Sequence, residues 1–142
     1  MIYLDTGCLV KLYYPEPDSQ LVAARVAGKV LCFSPLHELE FTNALHQKMF
    51  HGHATLAQVQ AAKALVATDL ASGVLRRVSL VWDTAYQKAV ALAESHTANI
   101  GCRSLDILHC ALSQELGAHD FISTDARQIR LATTIGLPFS PL

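Results

Sequence analysis

At 142 residues the chain can build one domain with a proper core and is too short for two, and 51% hydrophobic residues are ample for that core. No apolar run approaches the roughly 20 residues that span a bilayer. The N-terminus shows no basic region followed by a long apolar stretch and cleavage site, so a cytoplasmic protein is expected. With 11 Lys and Arg against 12 Asp and Glu the formal net charge is -1, which excludes a global polycation but permits a local basic rim around an acidic centre.

The chain opens on a short apolar strand, Ile2 to Leu4, that ends at Asp5. A short helix over Cys8 to Tyr13 follows, stopped by Pro15-Glu16-Pro17. Ser19 to Ala27 reads as a helix with Asp18 as its cap and Gly28 past its end. Val30 to Phe33 is a second strand. Ser34-Pro35 opens a long helix to about Phe50, since Ser caps well and Pro suits the first helical position. His51-Gly52-His53 is a turn. Thr55 with Gln58 forms a capping-box signature for a helix to Ala71, closed by Gly73.

A third strand is expected over Val78 to Val81, with Asp83 capping a helix from Thr84 to Ser95. Asn99-Ile100-Gly101 breaks the chain before a helix that runs from Ser104 to just short of Gly117. A fourth strand ends at Asp125 through Phe121-Ile122-Ser123-Thr124, and a helix covers Ala126 to Ile135 up to Gly136. Pro138-Phe139-Ser140 is a candidate short edge strand. Strand and helix alternate almost throughout, which predicts a parallel sheet covered on both faces. No internal repeat or linker interrupts a single domain over residues 1–142.

Two strands that end in Asp can aim two hard oxygen ligands at one point, because chemistry collects at the carboxyl ends of parallel strands. Two more acids sit near helix starts. In Ser104-Leu105-Asp106-Ile107-Leu108-His109-Cys110, Leu105, Leu108, Leu112 and Leu116 make the expected buried stripe. Asp106, His109, Cys110 and Ser113 share another face, and Asp106 sits at the favourable N-terminal end of the helix dipole. In the helix after Ser34, Glu38 and Glu40 point about 200° apart, and periodicity does not choose between them. Asp125 with Gln128 also satisfies a capping box, a role compatible with metal binding.

These acids in this order resemble the PIN-domain nucleases, and within them the VapC-like ribonuclease toxins. The resemblance rests on Asp5-Thr6, on Glu40 in Leu39-Glu40-Phe41-Thr42-Asn43, on Asp106 in Leu105-Asp106-Ile107-Leu108-His109, and on Asp125 in Ile122-Ser123-Thr124-Asp125. The stretch Leu9 to Ser19 is also similar. The resemblance implies a three-layer α/β/α fold with a central parallel sheet of about five strands. It implies that Asp5, Glu40, Asp106 and Asp125 bind Mg2+ or Mn2+ and cleave RNA, and so selects Glu40 over Glu38. Thr6, Arg103 and Ser123 become candidate substrate contacts. A small antitoxin partner and a homodimer follow from the same resemblance. Tyr13 and Tyr14 are candidates either for such an interface or for packing under the first strand. The family commonly carries Ser two residues after the first Asp, where this chain has Gly7. A weakened PIN-like domain that only binds RNA or protein is therefore the alternative expectation.

Other chemistry lacks its residues. His46, His51 and His53 have no further ligands at zinc spacing, and no HExxH, GxGxxG or Walker A sequence occurs. Cys8, Cys32, Cys102 and Cys110 form no CxxC pair and read as small core residues of a reduced protein. Arg76, Arg77, Lys48, Arg103, Arg127 and Arg130 are candidates for a basic rim.

Overall fold

Among the described residues every strand is three residues long, and β-strand residues are mostly buried apart from Arg76, Arg77 and Asp120. The computed structural model describes residues 1–139 and 142. It divides into two units: Met1–Asp5 with Ser79–Leu142, and Thr6–Val78. Each unit is built on one pair of parallel strands. Among the described residues no helix is long and apolar enough to cross a membrane.

In the first unit, β1 (Ile2–Leu4) pairs with β4 (Asp120–Ile122), with Tyr3 level with Phe121. Parallel neighbours on the same face stack, and the Tyr3 and Phe121 rings lie 5.8 Å apart and 22° from parallel. Among the described residues the helices of this unit are α5 (Trp82–Ile100), α6 (Ser104–Glu115) and α7 (Ala126–Thr134). Helix α6 packs against both α5 and α7. Its burial is broader than a single stripe: Ile107 through Ser113 are all buried, while Leu105 is 45% exposed. Deeply enclosed helices lose the two-faced pattern from which a stripe is read. His109 is enclosed there, with Nδ1 2.9 Å from the Tyr3 hydroxyl.

In the second unit, β2 (Leu31–Phe33) pairs with β3 (Leu75–Arg77), beside α1 (Thr6–Tyr13), α2 (Ser19–Val26), α3 (Pro35–Phe50) and α4 (Leu56–Ser72). Helix α3 starts as expected: Ser34 Oγ accepts from the His37 N–H at 3.3 Å, and His37 Nδ1 accepts from the Ser34 N–H at 3.1 Å. The Thr55–Gln58 capping box is also present. Tyr13 does not form an exposed aromatic patch. It is 7% exposed, stands edge-on to Phe41, and donates its hydroxyl to Asp69 at 2.7 Å. Tyr14 is half-buried, bonds the His53 carbonyl and lies under Lys48, which pairs with Glu16.

Several boundaries differ from expectation. The third strand is Leu75–Arg77, not Val78 to Val81. Leu75 pairs level with Leu31, and only the Val78 N–H extends the ladder, to the Phe33 carbonyl. Val78-Ser79-Leu80-Val81 has a valine at each end and so some strand propensity, but the observed strand ends at Arg77. Asp18 adopts the left-handed conformation and makes no side-chain cap; Ser19 Oγ instead accepts from the Glu16 N–H. Asp83 lies inside the first turn of α5, whose cap position is Val81. That helix continues through Asn99 and stops where Gly101 turns left-handed at φ 75°. Four strands occur among the described residues rather than about five. Pro138 and Phe139 run beside β4, with a single bridge from Phe139 to Phe121; Ser140 lies outside the described residues.

The buried Tyr13 hydroxyl gives a stability test. Tyr13→Phe leaves the ring in place and removes the donor to Asp69, so urea denaturation should show a loss of about 1.5 kcal/mol. An unchanged midpoint would mean the bond contributes nothing net.

Candidate metal-dependent site

Strand pairing in the first unit sets two of the acids. Side chains alternate along a strand, so Asp5 shares the face of Tyr3, and Ser123 shares that of Phe121. The ladder extends one step beyond the strands, with the Asp5 N–H donating to the Ile122 carbonyl at 2.9 Å. Asp5 and Ser123 thus meet, and Ser123 Oγ donates to Asp5 Oδ2 at 2.6 Å. A bond this short is typical of a hydroxyl on a carboxylate. Asp5 is 5% exposed, unusually deep for an acid.

Ser123 Oγ also accepts from the Asp125 N–H at 3.0 Å. Asp125 is the N-cap of α7, and its Oδ1 accepts from the N–H groups of Arg127 and Gln128 at 2.8 and 3.1 Å. Gln128 does not close the capping box expected from its spacing, because Ser123 already takes the Asp125 N–H. Its side chain turns to the third acid, with Nε2 3.3 Å from Asp106 Oδ1. Asp106 Oδ2 accepts from the Arg103 N–H at 3.1 Å and so secures the start of α6. Asp5, Ser123, Asp125, Gln128 and Asp106 therefore form one hydrogen-bonded chain. Gln128 is the member that sequence reasoning missed, since its i+3 spacing from Asp125 already had a local explanation.

The charges respond to this arrangement. Partial burial pushes the Asp125 carboxyl up, but the Gln128 and Arg127 N–H groups and the Arg127 guanidinium outweigh it and hold the carboxyl below its usual range. The buried Cys102 thiol is pushed up by burial first, then by the negative charges of Asp106 and Asp125. All four cysteines are buried, and none forms a disulfide.

In the second unit the two glutamates of α3 part company. Glu38 is exposed and bound by both Arg77 nitrogens, at 2.7 and 3.1 Å. Glu40 is half-buried, and its Oε2 accepts from Thr6 Oγ1 at 2.7 Å. Thr6 is buried and follows Asp5 directly in the chain. Of the rim candidates, Arg77 is committed to Glu38, and Arg127 lies 3.6 Å from Asp125. Arg103 is exposed.

Carboxylate and amide oxygens are the donors that Mg2+ and Mn2+ prefer, so the donor chemistry suits a hard cation. Gln128 Oε1, buried and without a hydrogen-bond partner among the described residues, adds an unfilled oxygen to this set. Among the described residues no three His, Cys, Asp or Glu side chains stand as a ready-made metal group.

The family model described as PIN domain matches residues 2–133. Among solved structures, VapC20 of Mycobacterium tuberculosis, a sarcin-ricin loop cleaving toxin, is similar at 17% identity and a TM-score of 0.69, covering 92% of this chain and 94% of that one. VapBC2 from Rickettsia felis, solved with a promoter DNA fragment, is similar at 15% identity and 0.65, covering 99% and 98%. FitAcB from Neisseria gonorrhoeae follows at 14% identity and 0.59, covering 98% and 96%. At these identities the likeness is one of fold. No curated protein matches the sequence.

The cap on α7 predicts a pH-dependent contribution. Asp125→Ala should cost about 1 kcal/mol in chemical denaturation at neutral pH. Because the folded carboxyl titrates below its unfolded value, the wild-type advantage over Asp125→Ala is present above about pH 4 and fades as pH falls through the folded value. An advantage that grew on acidification would contradict the assignment.

Proposed function

Because the chain belongs to the PIN domain family, we propose that it is a Mg2+- or Mn2+-dependent endoribonuclease, the toxin of a VapBC-type pair. It acts as a single PIN domain in the cytoplasm, as a homodimer restrained by a small antitoxin. The observation that supports this most is the hydrogen-bonded chain joining Asp5, Asp125 and Asp106. Three acids from separate segments would repel if merely crowded together. Tying them through Ser123 and Gln128 is how a protein keeps carboxylates near one another for a cation.

In this reading Asp5 and Asp106 are the main metal ligands. Glu40 and Asp125 hold a second ion or orient water. Glu40 is included by the family resemblance and by its bond to Thr6, the residue next to Asp5. A bound divalent ion would lower the pKa of water and neutralise charge on the phosphate. The protein's own part is to aim the acids, as the Ser123 hydroxyl does for Asp5, and the N–H groups on Asp125 also help to hold that carboxyl deprotonated. Arg103 is the candidate contact for the RNA phosphate. Thr6 and Ser123 serve the substrate through the acids they bind rather than directly.

Asp5, Glu40, Asp106 and Asp125 are all present in the chain, and the Ser123 hydroxyl already serves Asp5. This favours an active enzyme over the weakened binding module. Purified protein should cleave a structured RNA pool with Mg2+ or Mn2+ and stop in EDTA. Asp106→Asn should reduce cleavage by more than about 100-fold, the upper end of what loss of an outer-shell partner costs. RNA binding without cleavage would favour the binding module. No cleavage together with no calorimetric metal binding would remove the nuclease reading.

A further inference from the structure

Gln128 is 3% exposed, yet its side chain reaches out of its own helix to an acid on another. Its backbone N–H binds Asp125 Oδ1 while its Nε2 binds Asp106 Oδ1. One residue therefore spans the two carboxylates that α6 and α7 carry. The amide orientation follows from chemistry: turned over, it would set Oε1 against a carboxylate oxygen, acceptor facing acceptor. With Nε2 committed to Asp106, Oε1 remains buried and without a hydrogen-bond partner among the described residues.

An unmet buried acceptor lowers stability, and an apolar side chain of the same length would avoid it. The bond to Asp106 gives the Nε2 end a structural role, but nothing in the fold accounts for the Oε1 end. We propose that Gln128 is a positioning residue of the divalent-cation site. It sets Asp106 against Asp125, and its Oε1 accepts from a water carried by the cation. This rests on the proposed metal-dependent site.

Mn2+ titration calorimetry on four proteins tests it: wild type, Gln128→Met, Asp106→Asn and the double variant. Met keeps the length and removes both polar ends. Gln128→Met should bind Mn2+ roughly 10-fold more weakly, as expected for loss of an outer-shell partner. If Gln128 acts through Asp106, the double variant should bind no more weakly than Asp106→Asn alone. Gln128→Asn, which keeps the amide but draws it back by one methylene, should weaken binding similarly and serves if the Met variant does not fold.

In isotopically labelled wild type, the Gln128 side-chain amide signals should shift as Mg2+ is added. Wild-type affinity in both Gln128 variants, fully additive losses in the double variant, or a silent Gln128 amide would overturn the proposal. Absence of Mn2+ binding by wild type would instead overturn the site on which it rests.

Discussion

The Ser123 hydroxyl on Asp5 is the contact on which the rest of the candidate site depends. Asp5 is an acid at the end of a buried strand, where a carboxylate is costly unless hydrogen-bonded. The parallel pairing of β1 with β4 brings a hydroxyl level with it. The same oxygen then accepts the Asp125 N–H, so the strand end and the start of α7 are held by one atom. Shifting the β1–β4 register by one residue would turn Asp5 to the opposite face and break this chain at its first link.

Aromatic packing supports that register from below. Tyr3 stacks on Phe121 and stands edge-on to His109, whose Nδ1 meets the Tyr3 hydroxyl. Asp5 lies two residues beyond Tyr3 on its face of β1, and Asp106 lies one helical turn before His109 on α6. The buried cluster of Tyr3, Phe121 and His109 is therefore the aromatic anchor of the arrangement, and the acids are its charged end. Stability and candidate chemistry meet here: the packing that fixes the strands also fixes where the carboxylates project.

Much of this was legible in the residues. Strands ending in Asp5 and at Ser123 to Asp125, the Ser34-Pro35 helix start and the Thr55–Gln58 box are local signals with local causes, and the structure carries them. Less legible was whatever depended on a partner elsewhere in the chain. Val78 to Val81 has strand composition, but pairing with Leu31 selects Leu75 to Arg77. Leu105 fits a helical stripe, yet the helix is enclosed on other sides and Leu105 is not. Tyr13 reads equally as an interface or a packing residue until Asp69 is beside it. Gln128 was hidden by a sufficient local explanation, its capping-box spacing. Glu38 and Glu40 could not be separated by periodicity; Arg77 and Thr6, both distant in sequence, separate them.

The central claim is that Asp5, Asp106 and Asp125 are held together in order to bind a divalent cation. Anomalous diffraction at the manganese edge from crystals grown with Mn2+ tests it most directly. The account predicts a peak with oxygens of at least two of these carboxylates at about 2.1 Å, with the Ser123 and Gln128 contacts retained. No peak at this position, or a peak elsewhere on the protein with these acids unchanged, would contradict it.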